Sequence, residues 1–134
     1  MGDVWVFDLD GCIVDSLTGS SLRPGTIELL ERLRRAGVTT VLWSAGGADY
    51  AKHRADTHGL TSLFDAFHDK DGRDAAGRYR TDHFLDDHTR VVFVDDRPED
   101  MPEGAEVIAV SPYLGLNPHD RGLAAARDRA ELRT

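Results

Sequence analysis

Apolar runs of four or five residues that stop on a carboxylate or a serine recur along this chain, separated by stretches with helical spacing. Val4 to Phe7 is β-branched and aromatic and ends at Asp8. A continuous apolar run of that length predicts a strand buried on both faces. Gly11 to Pro24 lacks apolar periodicity and reads as a loop or small flap. Thr26 is placed to cap a helix whose apolar stripe is Ile27, Leu29, Leu30 and Leu33, with Gly37 as its stop. Thr39 to Trp43 is the second strand.

The alternation continues. Ala48 to His58 is a predicted helix stopped by Gly59, Phe64 to His68 a short third strand, and Asp69 to Gly77 a polar excursion. A brief helix around Thr81 to Asp87 leads into a strand at Arg90 to Val94, which ends on Asp95 and Asp96. Glu106 to Val110 is the last strand, Pro112 to Pro118 a loop, and Arg121 to Leu132 an alanine-rich helix. Strands that alternate with helices make a mostly parallel sheet covered on both faces, and such sheets bind ligands at the strand C-termini. Asp8, Ser44 and Asp95 each follow an apolar strand, so one sheet edge should gather them.

Composition narrows the picture. A chain of 134 residues suits one α/β domain, here 1–134. The 16 basic and 24 acidic side chains leave a net charge of −8, which disfavours extended nucleic-acid binding. Cys12 is the single cysteine, so no internal disulfide forms, and a reducing, cytoplasmic setting is expected. No apolar run approaches the ~20 residues that span a bilayer.

The chemistry implied at the strand ends is that of crowded carboxylates. Asp8 and Asp10 leave the first strand together, with Gly11 allowing a sharp departure, and Asp95 and Asp96 arrive from the other half of the chain. They would repel unless a hard cation sat among them, and an all-oxygen donor set suits Mg²⁺. Beside such an ion a carboxylate can attack phosphorus, which makes Asp8 the candidate nucleophile and Asp10 the candidate acid and base. Ser44 and the amides of Ala45 to Gly47, ahead of a helix N-terminus, could hold a phosphoryl oxygen. Each residue alone has a plainer explanation: Asp8 and Asp10 as a turn or helix cap, Ser44 as a helix cap, Asp95 and Asp96 as a strand-terminating turn before Pro98, and Asp100 as a surface acid in a short helical turn. The six histidines show no ligand-like grouping, His83 and His88 falling off a shared helical face. Trp5 and Trp43 sit on strands as core residues, and Cys12 is more simply a packing residue than a nucleophile.

Together these strings resemble the haloacid dehalogenase superfamily of aspartate-nucleophile phosphatases over nearly the whole length. VFDLDG is similar to its first motif, VLWSAG to its second and VVFVDDRPED to its fourth, with Asp96 and Asp100 at the Asp-x-x-x-Asp spacing. The intervening RPGTIELLERLRRAGVTTVLWS also resembles the family's helix and strand. The resemblance implies a three-layer sheet of about five strands in the order 5-4-1-2-3, and a phosphomonoesterase passing through a phospho-aspartate. It implies that Asp8 attacks and Asp10 handles protons. Mg²⁺ would be bound by Asp96 with Asp8 and the Asp10 backbone carbonyl, Asp95 and Asp100 completing the acidic shell. Gly11, Ser44, Ala45 and Gly46 would line the phosphate.

Two departures stand out. GRYRTDHFL resembles the family's third-motif string with Arg78 where a lysine is usual, so Arg78 is the expected phosphate cation and Lys70 or Arg80 the alternatives. Cys12 replaces a common threonine. No cap insertion fits between Asp10 and Ser44 or between Ser44 and Arg78, so the site should be open. In the family that favours a large substrate, such as a phosphoprotein or a nucleic-acid 3′-phosphate end, or a lid borrowed from a partner domain or a second copy. The Asp95 to Arg97 string resembles polynucleotide 3′-phosphatases, and WSAGGADYA resembles the carboxy-terminal-domain protein phosphatases. A catalytically idle binding module and a phosphotransferase are the other readings of the same residues.

Overall fold

The computed structural model describes residues 3–86 and 89–132. Its elements are β1 (Val4–Asp8), α1 (Thr26–Arg35), β2 (Thr39–Ser44), α2 (Ala48–Thr57), β3 (Ala66–Asp69), β4 (Val91–Asp95), β5 (Glu106–Ala109) and α3 (Ala124–Glu131). The five strands form one parallel sheet in the order β3-β2-β1-β4-β5, the expected order read from the opposite edge. β1 is therefore central, with Phe7 opposite Val94 and Asp8 opposite Trp43.

Strand alternation sorts the core into two clusters. Trp5, Phe7, Leu42, Val92, Val94 and Ile108 face one side, where α1 supplies Leu29, Leu30 and Leu33, α2 supplies Ala51 and Ala55, and α3 supplies Ala126 and Ala130. Val6, Val41, Trp43 and Phe93 face the other side, covered by Tyr79, Phe84, Leu85, Met101 and Ala105. Right-handed crossovers explain the division, because the chain steps outward one way from β1 to β3 and the other way from β4 to β5. The second face is thus covered by the two later connections, whose described residues include no α-helix. Residues 82–84 form turns where a helix around Thr81 to Asp87 was expected, and Asp87, like His88, lies outside the described residues. The β4–β5 connection holds a single 3-10 turn, Pro98–Asp100. Ten residues cannot form a full crossover helix, so aromatic side chains fill the layer instead: Trp43 meets Tyr79, Phe84 and Phe93 at 5.5–5.9 Å between ring centroids.

Element ends differ from the sequence expectation for local reasons. Thr26 is the first helical residue and Gly25, at φ 90°, is the cap; the Thr26 hydroxyl donates back to the Arg23 carbonyl. Ile27, 37 % exposed, leaves the buried stripe. Both α1 and α2 close as Schellman turns, Val38 and Leu60 donating to Leu33 and Ala55 while Gly37 and Gly59 donate to Arg34 and Asp56. β3 starts at Ala66 because Thr61–Leu63 forms a 3-10 turn that delivers Phe64 to the core. α3 starts at Ala124, since Asp120 and Gly122 form a turn stapled by the Asp120 carboxylate.

The segment after β1 is anchored rather than loose. The amides of Cys12, Ile13 and Val14 converge on the Leu9 carbonyl, and all three side chains are buried. The Asp15 carboxylate then collects the amides of Leu17, Thr18, Gly19 and Ser21. Burial alone would raise its pKa, but those donors outweigh it and hold it far below the usual carboxylate range. Beneath this flap the buried Arg23 guanidinium bonds Asp120 at 2.7 Å and donates to the Cys12 and Ser111 carbonyls at 3.0 and 2.6 Å. Gly122 must be glycine there, because a Cβ would lie 1.9 Å from the arginine Nη2.

Two outcomes follow from these contacts. Arg23→Ala, which strands a partly buried Asp120 and two backbone acceptors, should cost about 3–5 kcal/mol in urea unfolding. A folded-state pKa depressed below the unfolded value stabilises at neutral pH and stops doing so as pH falls through it. Thermal melts of Asp15→Asn between pH 5 and 2 should therefore show a smaller loss of stability on acidification than the wild type.

Candidate active site

Parallel strands with one register bring their C-terminal ends to a common edge, and the side chains there come from β1, β2, β3 and β4. Ligand oxygens of Asp8, Asp95 and Asp96 lie within 4.8 Å of one another. Asp8 and Asp95 are buried and Asp96 is half-buried, so the group combines inaccessible charge with one accessible side. Gly11 makes the close approach possible, since a Cβ at this residue, at φ 78°, would lie 2.9 Å from Asp96 Oδ2.

The cation facing these carboxylates is Lys70. Its backbone amide donates to the Ser44 carbonyl at 2.9 Å, which carries the β2–β3 pairing one step past Asp69. From there Nζ reaches Asp8 Oδ1 at 2.9 Å and Asp95 Oδ2 at 3.1 Å. The rings of Trp43 and Tyr79 flank it at 5.2 and 5.0 Å. Arg78 is placed otherwise: Nη1 donates to the Met101 carbonyl at 2.8 Å, pinning the 73–79 hairpin to the Pro98–Asp100 turn. Arg80 pairs with Asp82 at 3.0 Å. The expected Arg78 position at the carboxylates is thus held by Lys70, because a string match places a residue along the chain while the hairpin decides which side chain points inward.

Charges at the site are unbalanced. Burial raises the Asp8 pKa well above the ordinary value, Lys70 pulling it down and Asp95 pushing it up. Burial likewise raises Asp95 against the pull of Lys70 and of the Arg97 amide. Burial would lower Lys70, yet the two carboxylates outweigh it and raise its pKa. Three carboxylates against one ammonium, all donors being oxygens, is a set a hard divalent cation fits, and Asp8, Asp95 and Asp96 are the side chains that could hold it.

Other expected residues take different places. Asp10 is exposed and accepts a hydrogen bond from the Tyr50 hydroxyl at 3.1 Å. Asp100 does not join the acidic group; its carboxylate pairs with Arg97 at 2.9 Å and Arg73 at 3.4 Å. Ser44 is buried and its Oγ accepts from the Gly46 amide at 3.0 Å, so it shapes its own loop, while Ala45 and Gly46 are exposed beside it. Burial raises the Cys12 thiol, which donates to the Val94 carbonyl at 3.4 Å and packs the base of the site. Sequence reasoning did not single out Tyr50. For Lys70 a signal existed: it is one of two lysines in the chain and follows a predicted strand, as Asp8, Ser44 and Asp95 do.

A central parallel sheet of this order, with an Asp-x-Asp turn after β1, a serine after β2, a lysine after β3 and an Asp pair after β4, defines a haloacid dehalogenase-type domain without a cap. The sequence matches the profile of the NLI interacting factor-like phosphatases over residues 4–131, and the chain belongs to that family. Solved structures agree on the fold. An uncharacterized protein from Listeria monocytogenes serotype 4b superposes with a TM-score of 0.67 at 14 % identity, covering 98 % of each chain. A D,D-heptose 1,7-bisphosphate phosphatase from B. bronchiseptica, complexed with magnesium and phosphate, gives 0.56 at 16 % identity, covering 98 % of this chain and 99 % of the other. Fcp1, an RNA polymerase II CTD phosphatase, gives 0.59 at 17 % identity, covering 99 % of this chain and 50 % of the other. No curated protein sequence matches the chain. No described helix is long and apolar enough to cross a membrane.

Lys70 and Arg78 should separate in a stability measurement on metal-free protein. Lys70→Met leaves two buried carboxylates without their cation and should cost about 3–5 kcal/mol in urea unfolding. Arg78→Ala removes one bond to a backbone carbonyl and should cost about 1 kcal/mol.

Proposed function

We propose that this chain is a magnesium-dependent phosphomonoester hydrolase that works through a phospho-aspartate at Asp8. The observation that carries the reading is the Asp8 carboxylate at the end of the central strand, bonded to Lys70 at 2.9 Å and grouped with Asp95 and Asp96. Asp8 attacks phosphorus, the bond from phosphorus to the ester oxygen breaks, and Asp10 protonates the departing oxygen. Asp10 then takes a proton from water as water attacks the acyl phosphate and returns the Asp8 carboxylate. Lys70, with the Ser44 hydroxyl and the Ala45 amide, holds the phosphoryl oxygens, the Gly46 and Gly47 amides being turned back onto Ser44; Arg78 braces the third-motif hairpin. Mg²⁺, held by Asp8, Asp96 and the Asp10 backbone carbonyl with Asp95 behind them, would offset the repulsion between carboxylate and phosphate.

The absence of an inserted cap supports a large substrate. Among the described residues, a short flap lies between β1 and α1, and α2, a 3-10 turn, β3 and a hairpin lie between Ser44 and β4. The net charge of −8 favours a phosphoprotein over a nucleic-acid end. A buried free cysteine fits a single cytoplasmic domain. The idle-module reading stands on the missing third-motif lysine, on Cys12 and on the absent cap, and Lys70 beside Asp8 answers the first of these.

With p-nitrophenyl phosphate and Mg²⁺, the wild type should turn over, and chelation should abolish turnover. Asp8→Asn should lose at least about 10³-fold in kcat with an unchanged far-UV spectrum. Undiminished activity in that variant would reject the assignment.

A further inference from the structure

One face of α2 carries Tyr50 and Arg54, the C-cap His58 continues it at i, i+4, i+8 spacing, and all three meet the segment that follows β1. His58 Nε2 lies 2.8 Å from the Gly19 carbonyl oxygen at the flap. The Arg54 guanidinium packs against Gly19, where a Cβ would lie 3.0 Å from Cζ, and stacks over the Tyr50 ring at 5.5 Å from its centroid. The ring also rests on the loop after Ser44: a Cβ on Gly46 would lie 2.6 Å from Tyr50 Cδ2, so glycine leaves the ring its place. Held by the loop and the arginine, the phenol donates to Asp10 Oδ1 at 3.1 Å, bridging 40 residues of sequence.

We propose that Tyr50 is a positioning residue for proton transfer by Asp10, an inference that rests on the phosphatase reading above. A carboxylic acid has two oxygens, and its proton must reside on the one that meets the ester oxygen. The Tyr50 hydroxyl occupies Oδ1 as a donor, which assigns the proton to Oδ2 and fixes the carboxyl plane of an otherwise exposed side chain. In the first transfer the Oδ2 proton passes to the departing oxygen as that oxygen takes the electron pair of its bond to phosphorus. In the second transfer Oδ2 receives the proton of the attacking water. Tyr50 keeps its own proton throughout.

Leaving-group dependence separates this role from a structural one. The first transfer, reported by kcat/KM, needs an acid when an alkoxide departs and hardly at all when p-nitrophenolate departs. Tyr50→Phe keeps the ring and its packing and loses the donor. It should lower kcat/KM for a phosphoserine peptide by about 10–30-fold, out of the 10²–10⁴ that a general acid supplies, and for p-nitrophenyl phosphate by no more than about 3-fold. In an Asp10→Asn background the same substitution should cost nothing further that depends on the leaving group, a coupling read by the double-mutant cycle. Equal losses on both esters, or additive effects in the cycle, would overturn the positioning role while leaving the phosphatase intact. A wild type inactive on both esters would overturn both.

Discussion

The ammonium of Lys70 between the carboxylates of Asp8 and Asp95 is the contact on which the site depends. Two carboxylates buried side by side at the end of a parallel sheet would be driven to the neutral form, and burial does push both in that direction. The lysine keeps one negative charge compensated inside the protein and leaves the remainder facing the half-buried Asp96. The site therefore keeps a net negative charge around a fixed internal cation. Replacing the lysine by an arginine would keep the charge but not the fit, because the Trp43 and Tyr79 rings flank a compact ammonium.

That contact exists because of topology. β1 lies between β2 and β4, so Asp8 has a strand end on each side, and β3 lies beyond β2. Lys70 must cross the width of β2 to reach Asp8, and its path runs over the Trp43 ring. The aromatic layer on the second face has two jobs, therefore. Tyr79, Phe84 and Phe93 around Trp43 close the side of the sheet that lacks helices, and the same Trp43 and Tyr79 rings guide the lysine. Asp100 and Arg78 belong to this layer rather than to the acidic group: Tyr79 donates to the Asp100 carbonyl, Arg73 pairs with the Asp100 carboxylate, and Arg78 bonds Met101.

The strand starts at Val4, Thr39 and Glu106 and the two glycine stops were legible in the sequence because periodicity and φ > 0 are local properties. The convergence of Asp8 with Asp95 and Asp96 was legible too, since a strand-end carboxylate in a parallel α/β pattern has one edge to occupy. The choice between Lys70 and Arg78 was not legible from motif strings. It depends on the Arg73–Tyr79 hairpin, which turns Arg78 toward Met101, and on the one extra β-ladder bond that carries Lys70 past β3. The missing helix near residue 81 has a similar cause: polar residues with a few apolar ones satisfy a helix pattern and an aromatic plug equally well. Arg23 was invisible because nothing in a sequence marks one arginine among many as wholly buried.

The flap is the remaining feature that distinguishes an open site from one that closes. At its base Arg23 bonds the Cys12 carbonyl; in its middle Ser16 donates to the Tyr113 carbonyl while Tyr113 donates to Gly11. Farther along, Asp15 gathers four amides and Gly19 meets His58 and Arg54. A hinged lid needs a segment with few contacts and exposed backbone bonds. This one is tied to the α2 side and to the segment at Ser111 and Tyr113, so it serves as a wall beside Asp10 and Asp96 and not as a cover.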